Sequence, residues 1–135
     1  MAGVTRDESA IDVRAEARAA FLLRLRARGL RDVNVLRAIE TVPRELFAPH
    51  LYADLAMRDL ALPIPCGQTM PEPFVAARIA ESARIEPGHR VLEIGAGSGY
   101  VTAILARLCA SVVSIERFQT LAIAARERLA AIGAA

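Results

Sequence analysis

Apolar residues recur at helical spacing near the start of the chain. Val13, Ala17, Ala20, Phe21, Leu25 and Leu30 repeat every three to five positions, with Arg14, Arg18, Arg24, Arg26 and Arg28 on the other face. This pattern predicts a helix over 13–29, stopped by Gly29. A second helix is expected after Asp32, whose carboxylate can cap free amides, with Val35, Leu36, Ile39 and Val42 as its buried face and Pro43 as its end. Residues 43–59 read as turns with one further short helix, and the two prolines of 61–65 force extended backbone. Another helix is predicted over 69–83. Its signals are a Thr69–Glu72 capping box, Pro71 and Pro73 in the first turn, and Phe74, Ala77, Ile79 and Ala80 on one side. After a turn at 86–89, the apolar runs at 91–94 and 111–116 read as buried strands. Each is followed by a helical pattern, the last one stopped by Gly133. Strand, glycine loop, helix, strand and helix in that order predict parallel pairing.

The 135 residues match one ordinary domain, and 54% hydrophobic content with a net charge of +2 excludes a disordered chain. Uncharged stretches such as 60–71 and 94–104 are too short to span a bilayer, and the charged first ten residues show no secretory leader, so a cytoplasmic protein is expected. All seventeen basic residues are arginines interleaved with acids, which reads as a solvated surface and not as a nucleic-acid patch. Cys66 and Cys109 lack metal-ligand spacing and have no nearby histidine, so they are expected to be buried free thiols, with no metal site.

The chemistry concentrates in Val91–Tyr100, "VLEIGAGSGY". Gly95, Gly97 and Gly99 follow a strand and precede a helix, the context in which such a pattern binds a nucleotide-like ligand. Gly95 suits a strained turn, Gly97 lets a ligand lie on bare backbone, and Gly99 permits close packing of helix on strand. The amides of the loop offer donors to a polar ligand. Glu116 ends the second strand roughly 20 residues on, where an acid can accept both hydroxyls of a ribose. Glu93 is an acid inside a strand, suited either to a cationic or hydrogen-bonding ligand group or to capping the loop. Tyr100 either stacks on a ligand or seals the start of the helix. The third glycine comes one residue earlier than in the dinucleotide fingerprint, and Glu93 disfavours a pyrophosphate. An adenosyl ligand carrying an amino acid and a sulfonium, S-adenosylmethionine, fits better.

"VLEIGAGSGY" and "VVSIE" (112–116), together with "VPRELF" (42–47) and "LPIPCGQTMPEPFVAARIAE" (62–81), resemble the protein-L-isoaspartate O-methyltransferase family over about 21–133. The resemblance implies an α/β, Rossmann-like class I methyltransferase fold. Residues 1–66 would form an N-terminal helical subdomain, and 67–135 the first β-α-β-α half of the S-adenosylmethionine-binding sheet. It implies methyl transfer to a carboxylate of isoaspartyl protein, a protein-repair reaction. By resemblance, Glu93, Gly95, Ala96, Gly97, Ser98, Gly99, Tyr100, Glu116 and Arg117 surround the cofactor. Gln68, Thr69 and Met70 fall on the loop that closes over the methionine end and the incoming carboxylate. Pro71 stands where the family has a serine, and it supplies neither hydroxyl nor amide donor. Losing one such bond costs about 1–3 kcal/mol.

The family carries more sheet than follows here, so the resemblance implies an incomplete, N-terminal part of that fold, with its independent activity left open. The alternatives are a non-catalytic cofactor-binding or partner-dependent fragment and, further off, an NAD-binding half-Rossmann module. The exposed sheet edge would invite self-association.

Overall fold

A computed structural model describes residues 5–134, with side chains from residue 15 onward. Its elements are α1 (Thr5–Ala27), α2 (Val33–Thr41), two 3-10 turns (Arg44–Leu46 and His50–Leu55), β1 (Leu62–Ile64), β2 (Gln68–Met70), α3 (Pro73–Ser82), β3 (Arg90–Ile94), α4 (Tyr100–Ala106), β4 (Ser111–Ile115) and α5 (Gln119–Ala131). β1 and β2 form an antiparallel hairpin, and β3 and β4 pair in parallel with Glu93 opposite Ser114.

α1 starts earlier than the apolar pattern predicts, and the side chains of Val13 and Arg14 lie outside the described residues. Ala17 and Ala20, expected on the buried face, are exposed. The helix enters the core only from Phe21 onward, with Leu25 and Leu30 completing the contact. Gly29 ends α1 at φ +102°. Its amide donates to Arg26 O and that of Leu30 to Leu25 O, and both Leu25 and Leu30 are buried. This paired-bond, left-handed termination with a hydrophobic seal explains why the stop falls at Gly29. Gly133 closes α5 in the same way, with the amide of Ala134 reaching Leu129 O.

α2 forms as its pattern predicts. The Asp32 carboxylate accepts from Asn34 N and Val35 N, and Val35, Leu36, Ile39 and Val42 are all buried. The start of α3 is corrected. Residues 68–70 form a strand, Thr69 sits opposite Pro63 in the ladder, and no Thr69–Glu72 box exists. Asp59 accepts from Phe74 N in its place, while Glu72 reaches Arg28, so a distant carboxylate displaces the local cap. Ile79 is also corrected: the buried positions are Pro73, Ala76, Ala77 and Ala80, and Ile79 falls on the open side of the helix.

The two parallel strands are half-exposed and not buried. Val91, Glu93, Val112 and Ser114 face inward, whereas Leu92, Ile94, Val113 and Ile115 are more than half open to solvent on the other face. Parallel strands normally have both faces covered. Cys66 is exposed at the hairpin tip. Positive φ at Cys66 and Gly67 gives the mirror-image turn that tight hairpins favour, and this geometry overrides the expected burial of the thiol. Among the described residues no helix is long and apolar enough to cross a membrane.

One hydrophobic cluster runs from Phe21 through Phe47, Leu62 and Met70 to Ile104 and Leu121, joining the helical start of the chain to the β3–α4–β4 unit. Glu81 ties α3 to the α2 entry by accepting from the amides of Arg31 and Asp32 at 2.7 and 2.8 Å. Those two bonds, with the Arg78 guanidinium beside it, hold its carboxyl below the ordinary carboxylate range. A depressed folded-state value stabilises above the unfolded value and is lost as pH falls through the folded one. Glu81→Gln is therefore expected to cost about 1 kcal/mol at pH 7. Urea unfolding repeated at acid pH should show that difference closing below about pH 4, as the wild-type carboxyl protonates. A gap independent of pH would exclude this role for the charge.

Candidate functional site

The loop between β3 and α4 is built on three left-handed glycines, with φ +92° at Gly95, +55° at Gly97 and +88° at Gly99. A Cβ on Gly95 would meet nothing within 4 Å, and one on Gly97 only the tip of Ile64, so both leave bare backbone beside open space. Gly99 differs. A Cβ there would lie 3.1 Å from Ala125 Cβ, 3.4 Å from Ala125 Cα and 3.5 Å from Phe47. The close approach is therefore to α5 and Phe47, not to the preceding strand as the glycine pattern suggests.

Most loop amides are already engaged. Gly95 N and Ala96 N donate to Ile115 O, Gly97 N to the Glu116 carboxylate, Gly99 N to Ala96 O, and Tyr100 N to Ser98 Oγ. The expectation that the amides serve a ligand gives way to a loop that satisfies itself, and the two flanking carboxylates become the open polar groups.

Glu93 points inward from β3, and one of its oxygens, Oε2, accepts both from Thr102 Oγ1 and from Ser114 Oγ at 2.5 Å. Its other oxygen has no protein partner among the described residues. Of its two expected roles, the capping of the loop is not the one it plays. Glu116 spends one oxygen on each of two amides, Oε2 on Gly97 N at 2.8 Å and Oε1 on Phe118 N at 2.9 Å. These bonds, from Phe118 first and Gly97 next, hold its carboxyl below the usual range, so it is ionised at neutral pH. Each oxygen keeps a second acceptor position.

A cleft of about 410 Å³ runs along the free edge of β3. Thr69 and Pro71 form one wall, Ile79 and Ile85 lie on the α3 side, and Glu93 and residues 95–98 form the other wall. A second cavity of about 620 Å³ lies between α4, β4 and α5; its lining includes Ala106, Ala122 and Ala125 and it holds Glu116 at its edge. Ala96 lines both, so the glycine loop is the rim between them. The smaller cleft collects more of the expected site, and the larger one contributes Glu116.

Not every expected residue faces these spaces. The Tyr100 ring is fully buried against Phe47, with ring centroids 5.9 Å apart, so it seals the helix start and does not stack on a ligand. Burial raises its phenol above the ordinary value. Met70 is likewise buried in the core and anchors β2 with no side-chain atom exposed. Gln68 is exposed, and its amide nitrogen donates to Cys66 O. Arg117 is exposed, with its guanidinium 4.4 Å from the Phe118 ring.

Thr102, Ser114 and Arg44 escape the sequence reading. Ser114 is the in-register partner of Glu93 across the parallel pair, and Thr102 lies one helical turn past the loop. The only signal for either was a hydroxyl in an otherwise apolar run. Arg44, in the "VPRELF" segment, is 3% exposed.

Comparison with known proteins places these features in one family. Residues 16–135 match the family model of protein-L-isoaspartate(D-aspartate) O-methyltransferase. Protein-L-isoaspartate O-methyltransferase 2 of Rhodopseudomonas palustris (strain HaA2) is 57% identical over 109 residues, which are 81% of this chain and 50% of that protein. A protein-L-isoaspartate O-methyltransferase of Azorhizobium caulinodans is 49% identical over 116 residues, 86% of this chain and 54% of its own length. The chain thus spans about half the length of the curated relatives it matches. A solved protein-L-isoaspartate O-methyltransferase superposes with a TM-score of 0.71 at 28% identity, over 86% of this chain and 39% of that one. A putative enzyme of that name from Plasmodium falciparum, in complex with S-adenosyl-L-homocysteine, superposes with a TM-score of 0.66 at 25% identity, over 82% of this chain and 53% of that one.

Proposed function

The chain belongs to the protein-L-isoaspartate(D-aspartate) O-methyltransferase family, and from that premise we propose that it supplies the cofactor-binding loop and one acceptor-facing wall of an S-adenosylmethionine-dependent protein carboxyl methyltransferase. The observation that carries this reading is the pair of carboxylates on either side of the glycine rim: Glu93 with one oxygen unpartnered among the described residues, and Glu116 ionised and aimed by two amides.

The residues fit the cofactor's chemistry. Glu93 would take the ammonium of the amino-acid end, held in place by the Thr102 and Ser114 hydroxyls. Glu116 would accept from the ribose hydroxyls, and the bare backbone at Gly95 and Gly97 would lie under the sugar. Glu93 beside the loop opposes a pyrophosphate, which argues against a dinucleotide. Bound S-adenosylmethionine supplies an electrophilic methyl group on a sulfonium. The acceptor, the α-carboxylate of an isoaspartyl residue in a protein, is ionised at neutral pH and needs no general base. The remaining work is positioning and exclusion of water, and Thr69, Ile79 and Ile85 provide a largely apolar surround for it. Pro71 contributes no donor, so orientation of the acceptor on this wall falls to Thr69. We place the protein in the reducing cytoplasm, where both thiols stay free, with self-association through the open edge of β3 as its oligomeric tendency.

Isothermal titration of the folded chain with S-adenosyl-L-homocysteine tests this reading. Saturable one-to-one binding with a Kd of about 1–100 μM is expected, together with no binding of NADH. A folded sample that takes up NADH, or neither ligand, would refute it. Methyl incorporation from S-adenosylmethionine into an isoaspartyl peptide then reports whether the acceptor wall is sufficient.

A further inference from the structure

Arg44 is a charged side chain enclosed in the core, and among the described residues no carboxylate pairs with it. Its guanidinium is held by carbonyl dipoles from three separate stretches of chain. Nη1 donates to Ala56 O at 2.8 Å, and Nη2 donates to Leu60 O at 3.0 Å and to Pro71 O at 2.9 Å. Its Cζ lies 5.5 Å from the centroid of the Tyr100 ring, and its Nε is buried without a partner among the described residues. An apolar side chain would fill this space without the desolvation cost of a buried charge. What it could not do is bind three carbonyls at once, a task suited to the rigid fork of arginine.

One of its contacts lines the cleft and another follows the loop that does. Pro71 closes the Thr69–Pro71 wall, and Tyr100 is the first residue of α4, directly after the glycine loop. We propose that Arg44 is a positioning residue that sets the spacing between the Thr69–Pro71 wall and the glycine loop, and so fixes where an acceptor group meets the bound cofactor. Its use in methyl transfer rests on the function proposed above; its structural coupling of the two walls does not.

The test compares Arg44→Lys and Arg44→Met with the wild type in this same chain. Lysine keeps the charge and loses the fork, and methionine keeps volume alone. Amide hydrogen exchange should accelerate about tenfold or more in residues 68–72 and 97–101, while residues 36–41 of α2 and 121–131 of α5 keep wild-type rates. Affinity for S-adenosyl-L-homocysteine should fall about tenfold in both variants. Exchange that rises equally in all four segments, or wild-type exchange in 68–72 for either variant, would overturn the proposal and make Arg44 a core filler. If Arg44→Met does not fold, the lysine variant still decides. If the wild type itself binds no S-adenosyl-L-homocysteine, the methyltransferase reading fails, while the exchange pattern continues to judge Arg44.

Discussion

Gly99→Ala is expected to destabilise the protein by about 2–4 kcal/mol, with Gly95→Ala costing about 1 kcal/mol. Both glycines have φ near +90°, so each alanine meets the same left-handed penalty. They differ in what surrounds them. The added methyl at 95 enters open space, while at 99 it stands 3.1 Å from Ala125 Cβ and 3.4 Å from the backbone of α5. Backbone cannot swing aside as a side-chain tip can, so α5 or the loop must move. Urea unfolding of both variants measures the difference. Combining Gly99→Ala with Ala125→Gly should recover part of the loss, because it removes the closest atom but leaves the φ penalty and adds a helix glycine costing about 1 kcal/mol. Equal losses at 95 and 99 would show that the packing of loop on α5 carries no energy.

The glycine loop was legible in the sequence because its determinants are local. Strand, turn, helix and downstream acid lie within one short stretch, and three left-handed positions demand glycine whatever the rest of the chain does. Helix α2 was legible for the same reason, with its cap, apolar face and terminal proline contiguous. Wherever a partner comes from a distance, the local pattern misleads. Thr69 and Glu72 have the spacing of a capping box, but Asp59 takes the cap and Pro63 takes Thr69 as a ladder neighbour. Strands of three residues, as β1 and β2 are, carry almost no periodic signal against helix signals of that strength. The hydroxyls that orient Glu93 depend on the β3–β4 register, which becomes visible only once the strands are aligned. Arg44 ran against the strongest prior of all, since arginine is almost never fully buried.

The same contrast explains the open face of the sheet. Leu92, Ile94, Val113 and Ile115 are apolar in sequence and predict burial, yet each is exposed. Alternation along β3 and β4 places Glu93 and Ser114 toward α4, and the strict two-residue period sends these four side chains to the opposite face. Their hydrophobicity thus records a face that no described element covers, while the inward face holds the polar network of the site.

Glu116 has two duties, and separating them yields the second large effect. In the protein alone it pins the loop, through Gly97 N, to the entry of α5, through Phe118 N. In the proposed complex its remaining acceptor positions receive the ribose hydroxyls. Glu116→Ala removes both functions, and affinity for S-adenosyl-L-homocysteine should fall about 30- to 1000-fold, the equivalent of two hydrogen bonds to a charged group at 1.5–3 kcal/mol each with partial compensation by water. Glu116→Gln is informative for a different reason. An amide side chain offers one oxygen, so one of the two backbone N–H groups would face an NH2 group and lose its acceptor, at a cost to stability of about 1–3 kcal/mol. The glutamine variant should therefore unfold earlier than its nearly isosteric shape suggests. A 2′-deoxy analogue of S-adenosyl-L-homocysteine isolates the ligand term: it should bind the wild type more weakly than the parent compound but bind Glu116→Ala equally well. The depressed carboxyl also fixes the sign of the pH dependence. Affinity should stay flat through neutral pH and decline only in acid, as Glu116 takes up a proton below the ordinary carboxylate range. Retention of affinity within about threefold in Glu116→Ala would remove the ribose contact from this residue and leave it the structural duty alone.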